Sequence, residues 1–340
     1  MKGFVDSQLV NDCFGDAGLY LNFRFARRAL LFDLGDVQRL TPRQLRRVSH
    51  VFVSHAHMDH FYGFDRLLLI CAVRPSRLDL FGPPGFIDRV EHKLAAYTWN
   101  LIGENDTDFV IGAAEFEGDC LAAAAEFHTA DAFARRTVAI PSPPKGIVLD
   151  ESEFRIRAAT LDHRTPSLAF ALEQKLRINV WKDRVHALGL PVGPWLNDLK
   201  SLVRKGAPDR EPFTVAWQAA GERHERRTSL GELKSEILRF APGEKIAYVV
   251  DAIYHERNAE KIIDLARGAD RLFIEAVFLE QDAALAARKF HLTAAQAGSL
   301  ARNAQVKRVV PFHFSTRYRG REDEIRREVE LAFGAGGLRS

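Results

Sequence analysis

Short apolar runs recur along the chain, and each stops on a polar residue able to bind metal or move a proton. Ala29-Leu30-Leu31-Phe32 stops at Asp33, Val51-Phe52-Val53 at Ser54-His55, Ile246 to Val250 at Asp251, Leu272-Phe273-Ile274 at Glu275, and Val309 to Phe312 at His313. Runs of this length and composition predict buried strands. Phe154 to Ala158 alternates as a half-exposed strand does and leads to Asp162-His163. Between these runs the apolar period changes to that of helices, over Asn258–Arg267, Thr293–Asn303 and Glu322–Phe333, with Thr293 placed to cap the second. Strands alternating with helices predict an α/β architecture in which helices cover a sheet. Strand ends converging on one sheet edge are how such folds assemble a site from distant sequence.

The stretch from about Glu173 to Gly243 breaks this texture. Leu190-Pro191-Val192-Gly193-Pro194-Trp195 has the punctuation of an extended projection rather than of a core strand. From Gln174 to Arg210 there are eight Lys/Arg against three Asp, a local excess of eight minus three, or +5, in a chain whose formal net charge is +3. Positive charge is therefore concentrated in one insertion. On charge alone it fits a solvated helical hairpin as well as a phosphate-binding arm.

Composition adds little: 340 residues, 46% hydrophobic and 27% charged, describe an ordinary globular chain. Cys13, Cys71 and Cys120 are scattered and unpaired in sequence, so buried reduced thiols are expected. No leader-like segment opens the chain and no run is long enough for a membrane helix, so the expected compartment is the cytoplasm.

The chemistry is densest at His55-Ala56-His57-Met58-Asp59-His60, where three histidines and an aspartate fall within six positions after a strand. Alternate residues of an extended segment face the same way, so His55 and His57 can share one ion, while Asp59 and His60 serve a second after the chain turns. His163 completes the first set, His313 joins the second, and Asp251 is placed to bridge the two. Imidazole and carboxylate without thiolate suit two Zn²⁺, with Mn²⁺ or Fe²⁺ as alternatives.

These residues resemble the metallo-β-lactamase superfamily and, within it, the ribonuclease Z family of tRNA 3′-processing endonucleases. The narrower likeness rests on Ser54 to Phe64 followed by Phe81-Gly82-Pro83-Pro84-Gly85, on His163-Arg164-Thr165-Pro166-Ser167, and on Gly189 to Pro194. Glu275-Ala276-Val277-Phe278, His291 to Ala297 and His313 to Tyr318 complete it, so the likeness spans Asp33 to Tyr318. The resemblance implies a four-layer αβ/βα sandwich over residues 1–340 as one domain, with residues 174–243 inserted as an arm that grips tRNA. It implies a two-metal hydrolase in which Asp59 orients or deprotonates the attacking water and His291, held by Glu275, protonates the departing 3′ oxygen. Asp33 would steady the metal loop; Ser315, Arg317, Gly193, Pro194, Lys182 and Arg184 would contact substrate. Precursor tRNA and a second copy of the chain are the implied partners.

The chain departs from the family pattern in its opening loop, Asn11 to Gly18, and in the neighbours of Asp251 and Glu275. Two other readings therefore stand beside the first. One is a hydrolase of the same fold acting on a small phosphodiester such as a cyclic nucleotide, or on a lactone or thioester. The other is a non-catalytic RNA-binding scaffold.

Overall fold

A computed structural model describes residues 3–73, 76–100, 108–219 and 221–334. In chain order the strands are β1 Val5–Leu9, β2 Leu19–Phe23, β3 Ala29–Phe32, β4 Val48–Phe52, β5 Ser76–Gly82, β6 Phe109–Glu117, β7 Cys120–His128 and β8 Arg135–Thr137. There follow β9 Ile147–Asp150, β10 Phe154–Asp162, β11 Pro166–Gln174, β12 Arg177–Val180, β13 Pro212–Ala219, β14 Glu222–Ser229, β15 Leu238–Ala241, β16 Lys245–Val249, β17 Arg271–Glu275 and β18 Val309–Phe312. The chain divides into two compact units, one of residues 1–149, 156–172 and 245–340, the other of 150–155 and 173–244.

In the first unit β1 to β8 lie in sequence order in one sheet, and a second sheet runs β18-β17-β16-β11-β10-β9. The two sheets face each other across an aromatic seam: Phe32 stacks on Phe170 with ring centroids 5.4 Å apart, Phe52 packs against both, and Tyr248 packs against Phe32. Helices Phe64–Cys71 and Phe86–Ala95 cover the outer face of the first sheet through Leu67, Phe86 and Val90; Glu256–Ala266, Ala294–Asn303 and Glu322–Gly334 cover the second through Ile262, Leu300 and Ile325. This is the four-layer metallo-β-lactamase sandwich. Its inner strands carry no polar face, as strands covered on both sides must: all four residues of β3 and the last four of β16 and β17 are buried.

The expected runs form strands and helices close to where periodicity placed them; the largest differences are β4, which begins three residues before Val51, and β10, which runs four residues past Ala158 to Asp162. Thr293 caps its helix by accepting from the Gln296 amide, while the Gln296 side chain accepts from the Thr293 amide. Gly298 in that helix lets the next one approach, since a β-carbon there would lie 2.7 Å from Ala332 Cβ.

The second unit has a core of its own, containing Ile178, Val185, Leu199, Phe213, Leu233 and Ile237, with antiparallel pairs β12–β15 and β13–β14. Here the sequence expectation is corrected. Leu190 and Trp195 are not part of a bare projection but are buried in that core, and the Trp195 indole donates to the Pro191 carbonyl. Gly193 and Pro194 lie in the turn between them. Cys120 also departs from expectation: only Cys71 is buried, Cys13 is half-buried and Cys120 is exposed. Among the described residues no helix is long and apolar enough to cross a membrane.

Candidate metal centre

Parallel pairing decides where the site forms. β3 and β4 run parallel, so Asp33 and the His55 loop leave the first sheet at the same edge. β16, β17 and β18 are parallel too, which brings Asp251, Glu275 and His313 to one edge of the second sheet. Asp33, Asp251 and His313 adopt left-handed backbone at φ 58°, 47° and 59°. Such a conformation costs a non-glycine residue about 1–3 kcal/mol, and it is tolerated where the surroundings hold the chain in place.

The restraint is visible around Asp33, which is fully buried. Its Oδ1 accepts from the Ser54 amide at 2.6 Å; its Oδ2 accepts from Ser54 Oγ, His60 Nδ1 and the Tyr248 hydroxyl, each at 2.9 Å. The adjoining glycines let the metal loop close on this turn. Gly63 donates to Leu34 O at 2.8 Å, and a β-carbon on Gly35 would lie 2.7 Å from Ala17 O. Either side chain would push the loop away.

Two ligand groups result, each with its donor atoms within 4.8 Å of one another: His55, His57, His163 and Asp251; and Asp59, His60 and His313. These are the residues the sequence singles out as candidate ligands, and the structure brings each set close enough together to hold an ion. His55 Nε2 lies 2.8 Å from His57 Nδ1, and His163 Nε2 3.2 Å from Asp251 Oδ2. His163 Nδ1 donates to the Phe290 carbonyl at 2.7 Å, which leaves Nε2 as the free lone pair. Asp251 reaches both groups, with Oδ2 3.5 Å from His55 and from His60, and Oδ1 3.2 Å from His313.

These residues fit a metal on two observations. His60 Nε2 and Asp251 Oδ1 are buried and make no hydrogen bond, a costly state unless an ion takes the lone pairs. Burial drives the His55 imidazole down to about 2, with the neighbouring His60 charge adding to it, so His55 is a neutral ligand at physiological pH. Burial would lift the Asp251 carboxyl and lower His60, but the charges of His60 and His313 hold Asp251 low and those of Asp251 and Asp33 hold His60 high, so an ion bound at His60 Nε2 would take the place of a proton there.

A third grouping, Asp251, Glu275 and His291, also lies within ligand distance. Here Glu275 is already taken up by hydrogen bonds. Glu275 Oε1 accepts from the amides of Ala252 and Leu292, and Oε2 takes His291 Nδ1 at 2.8 Å. Burial opposes protonation of His291, yet the Glu275 charge and hydrogen bond raise it to about 9.

The structure brings together His55, His57, Asp59, His60, His163, Asp251, Glu275, His291, His313 and Asp33. Ser315 and Arg317 follow His313 directly, and the Arg317 guanidinium lies 3.6 Å from Asp282. Lys182 and Arg184 belong to the second unit, where Arg184 lies over the Trp181 ring at 4.9 Å. Sequence reasoning missed Tyr248, whose hydroxyl hides in an apolar strand, and the Phe290 carbonyl, since a backbone acceptor leaves no trace in residue type. A larger cavity of ≈ 690 Å³, lined in part by Tyr62, Leu69, Val73 and Tyr97, contains none of the candidate ligands.

No family model matches the chain. It is 31% identical over 310 residues to Ribonuclease Z of Deinococcus radiodurans, covering 90% of this chain and 88% of that protein. Among solved structures it resembles the metallo-beta-lactamase fold protein YhfI of Bacillus subtilis, with a TM-score of 0.55 and 14% identity over 96% of this chain and 92% of that one. It also resembles human tRNase Z, short form, with a TM-score of 0.51 and 17% identity over 93% of each chain.

Proposed function

The chain belongs to the ribonuclease Z family, and from that membership we propose that it is a zinc-dependent endoribonuclease that hydrolyses a phosphodiester on the 3′ side of precursor tRNA. The observation that carries the reading is the Glu275–His291 pair beside the ligand cluster. A phosphodiester must expel an alkoxide, which needs a proton donor at that point, and a buried carboxylate keeps this imidazole protonated through neutral pH.

Two ions would be held by His55, His57 and His163 on one side and Asp59, His60 and His313 on the other, with Asp251 between. When bound, such ions act as Lewis acids toward the phosphate and lower the pKa of water. The chain's own residues do the rest. Asp59, with its side chain 45% exposed at the mouth of the cluster, orients the attacking water and accepts its proton at a carboxylate oxygen. His291 gives a proton to the departing 3′ oxygen from Nε2, while Nδ1 stays on Glu275. Asp33 takes His60 Nδ1, so that Nε2 is the nitrogen that would hold an ion.

The reading extends to residues 174–243 as an arm for the tRNA body, with Lys182, Arg184, Gly193 and Pro194 among its contacts. Support comes from its excess of Lys and Arg, and from Arg184 and Arg239, whose guanidinium groups lie 4.9 and 3.9 Å from the Trp181 ring. Ser315 and Arg317 would contact substrate beside His313, a second copy of the chain would complete a homodimer, and the compartment would be the cytoplasm. The test is incubation of the purified protein with labelled precursor tRNA, with and without chelator. A single cut that chelator abolishes and Zn²⁺ restores is expected. Hydrolysis of bis-p-nitrophenyl phosphate with intact tRNA would favour the small-phosphodiester reading instead.

A further inference from the structure

Beside the first ligand group lies a cleft of ≈ 480 Å³, lined by His57, His163, Arg164, Arg288 and Lys289 among others. The three cations come from two loops that His163 ties together. Arg164 has left-handed backbone at φ 61°, with its amide donating to Asp162 Oδ1 at 2.8 Å. Arg288 and Lys289 end the helix Ala283–Lys289, which stops at Phe290, left-handed at φ 62°, and it is the Phe290 carbonyl that receives His163 Nδ1. The geometry that orients a metal-candidate histidine therefore also sets three positive side chains around it.

Arg164, Arg288 and Lys289 are exposed, none pairs with a carboxylate among the described residues, and no carboxylate lines the cleft. On the His313 side the cations are engaged instead: Arg39 pairs with Asp12, Arg317 lies 3.6 Å from Asp282, and Arg319 and Arg326 lie over the Phe14 and Phe314 rings.

We propose that Arg164, Arg288 and Lys289 form a subsite for the backbone phosphates of a polynucleotide next to the scissile one, on the His57 and His163 flank. A substrate with a single phosphate would meet only the ions that the ligand cluster would hold and has no use for this wall; a polynucleotide does. The proposal rests on the ribonuclease reading for its substrate class, and it names which way the strand leaves the centre.

The test uses the zinc-loaded full chain and a fluorescein-labelled hexamer oligodeoxyribonucleotide, with binding followed by anisotropy between 50 and 200 mM salt. Each single-strand phosphate neutralised contributes about 0.7 to the slope of log affinity against log salt. Arg164→Gln/Arg288→Gln/Lys289→Gln is therefore expected to flatten the slope by about 2, so that it loses about 20-fold less affinity than wild type over that range. Arg164→Lys/Arg288→Lys, which keeps the charge, should retain the wild-type slope. Equal slopes for wild type and the glutamine variant, or no binding of the hexamer by wild type at 50 mM salt, would overturn the subsite. Cleavage of precursor tRNA by wild type is scored separately. A protein that shows the slope change yet never cuts tRNA would keep the subsite and lose the ribonuclease reading.

Discussion

His291 Nδ1 lies 2.8 Å from Glu275 Oε2, and Glu275 is fully buried at the end of β17 with its other oxygen held by two backbone amides. The carboxylate cannot leave and cannot be solvated, so its charge stays against the imidazole. His291→Ala should lower kcat by about 10²–10⁴, the usual range for a general acid, while the metal content stays that of wild type. A variant with unchanged turnover would remove His291 from the mechanism.

The same pair sets a pH limit. A histidine raised to about 9 holds its proton below that value and loses it above, so turnover should fall as pH rises through about 9. Glu275→Gln removes the charge that raises it and should move the alkaline limb to lower pH. Profiles of kcat for the two proteins decide this, and superimposable limbs would show that another group titrates.

Asp33 accepts four hydrogen bonds in a site with no access to water. Asp33→Ala strands donors on Ser54, His60 and Tyr248, at about 1–3 kcal/mol for each one left unsatisfied. It should also weaken metal binding by about 10–100-fold, since His60 loses the partner that fixes its ring. Urea unfolding and a metal titration check the two effects, and a variant with wild-type metal affinity would show that His60 is oriented without Asp33.

Gly298 faces the helix Glu322–Gly334 where a β-carbon would meet the Val329 carbonyl and Ala332. Alanine is the better helix former, so propensity alone predicts a gain of about 1 kcal/mol. Overpacking is expected to win, and Gly298→Ala should lower stability by about 1–3 kcal/mol in urea. A stabilised variant would mean that the two helices separate at little cost.

In the second unit Trp181 is flanked by Arg184 and Arg239. Lys182→Gln/Arg184→Gln/Arg239→Gln should weaken binding of folded precursor tRNA and flatten its salt dependence by about 2, leaving binding of a hexamer unchanged. Equal losses for tRNA and hexamer would argue against an arm that reads the tRNA body.

Strands of both sheets and the candidate ligands at their ends were legible because they leave strong local marks. β3, β16, β17 and β18 are short apolar runs with a polar stop, and parallel pairing turns those stops into one site. The outer elements were less visible. β7 is largely alanine and β8 wholly exposed, so neither carries a period, and both are strands because of what they pair with. The Leu190 to Trp195 stretch misled for a related reason. Its prolines and glycine fit a projection, but Leu190 and Trp195 are buried in a cluster that also takes in Phe213, Leu230, Leu233 and Ile237 from further along the chain. Asp33 could be suspected from its place after a strand, whereas Tyr248 could not, because its partner lies 215 positions away.

Hydrolysis with a proton delivered to the 3′ oxygen leaves a signature on the ends of the cut RNA. End-group analysis of the products from labelled precursor tRNA tests it most directly. The account predicts a 3′-hydroxyl on the tRNA body and a 5′-phosphate on the released trailer, both lost in His291→Ala. A 2′,3′-cyclic phosphate on the tRNA body would contradict it, because the 2′ oxygen and not water would then be the nucleophile.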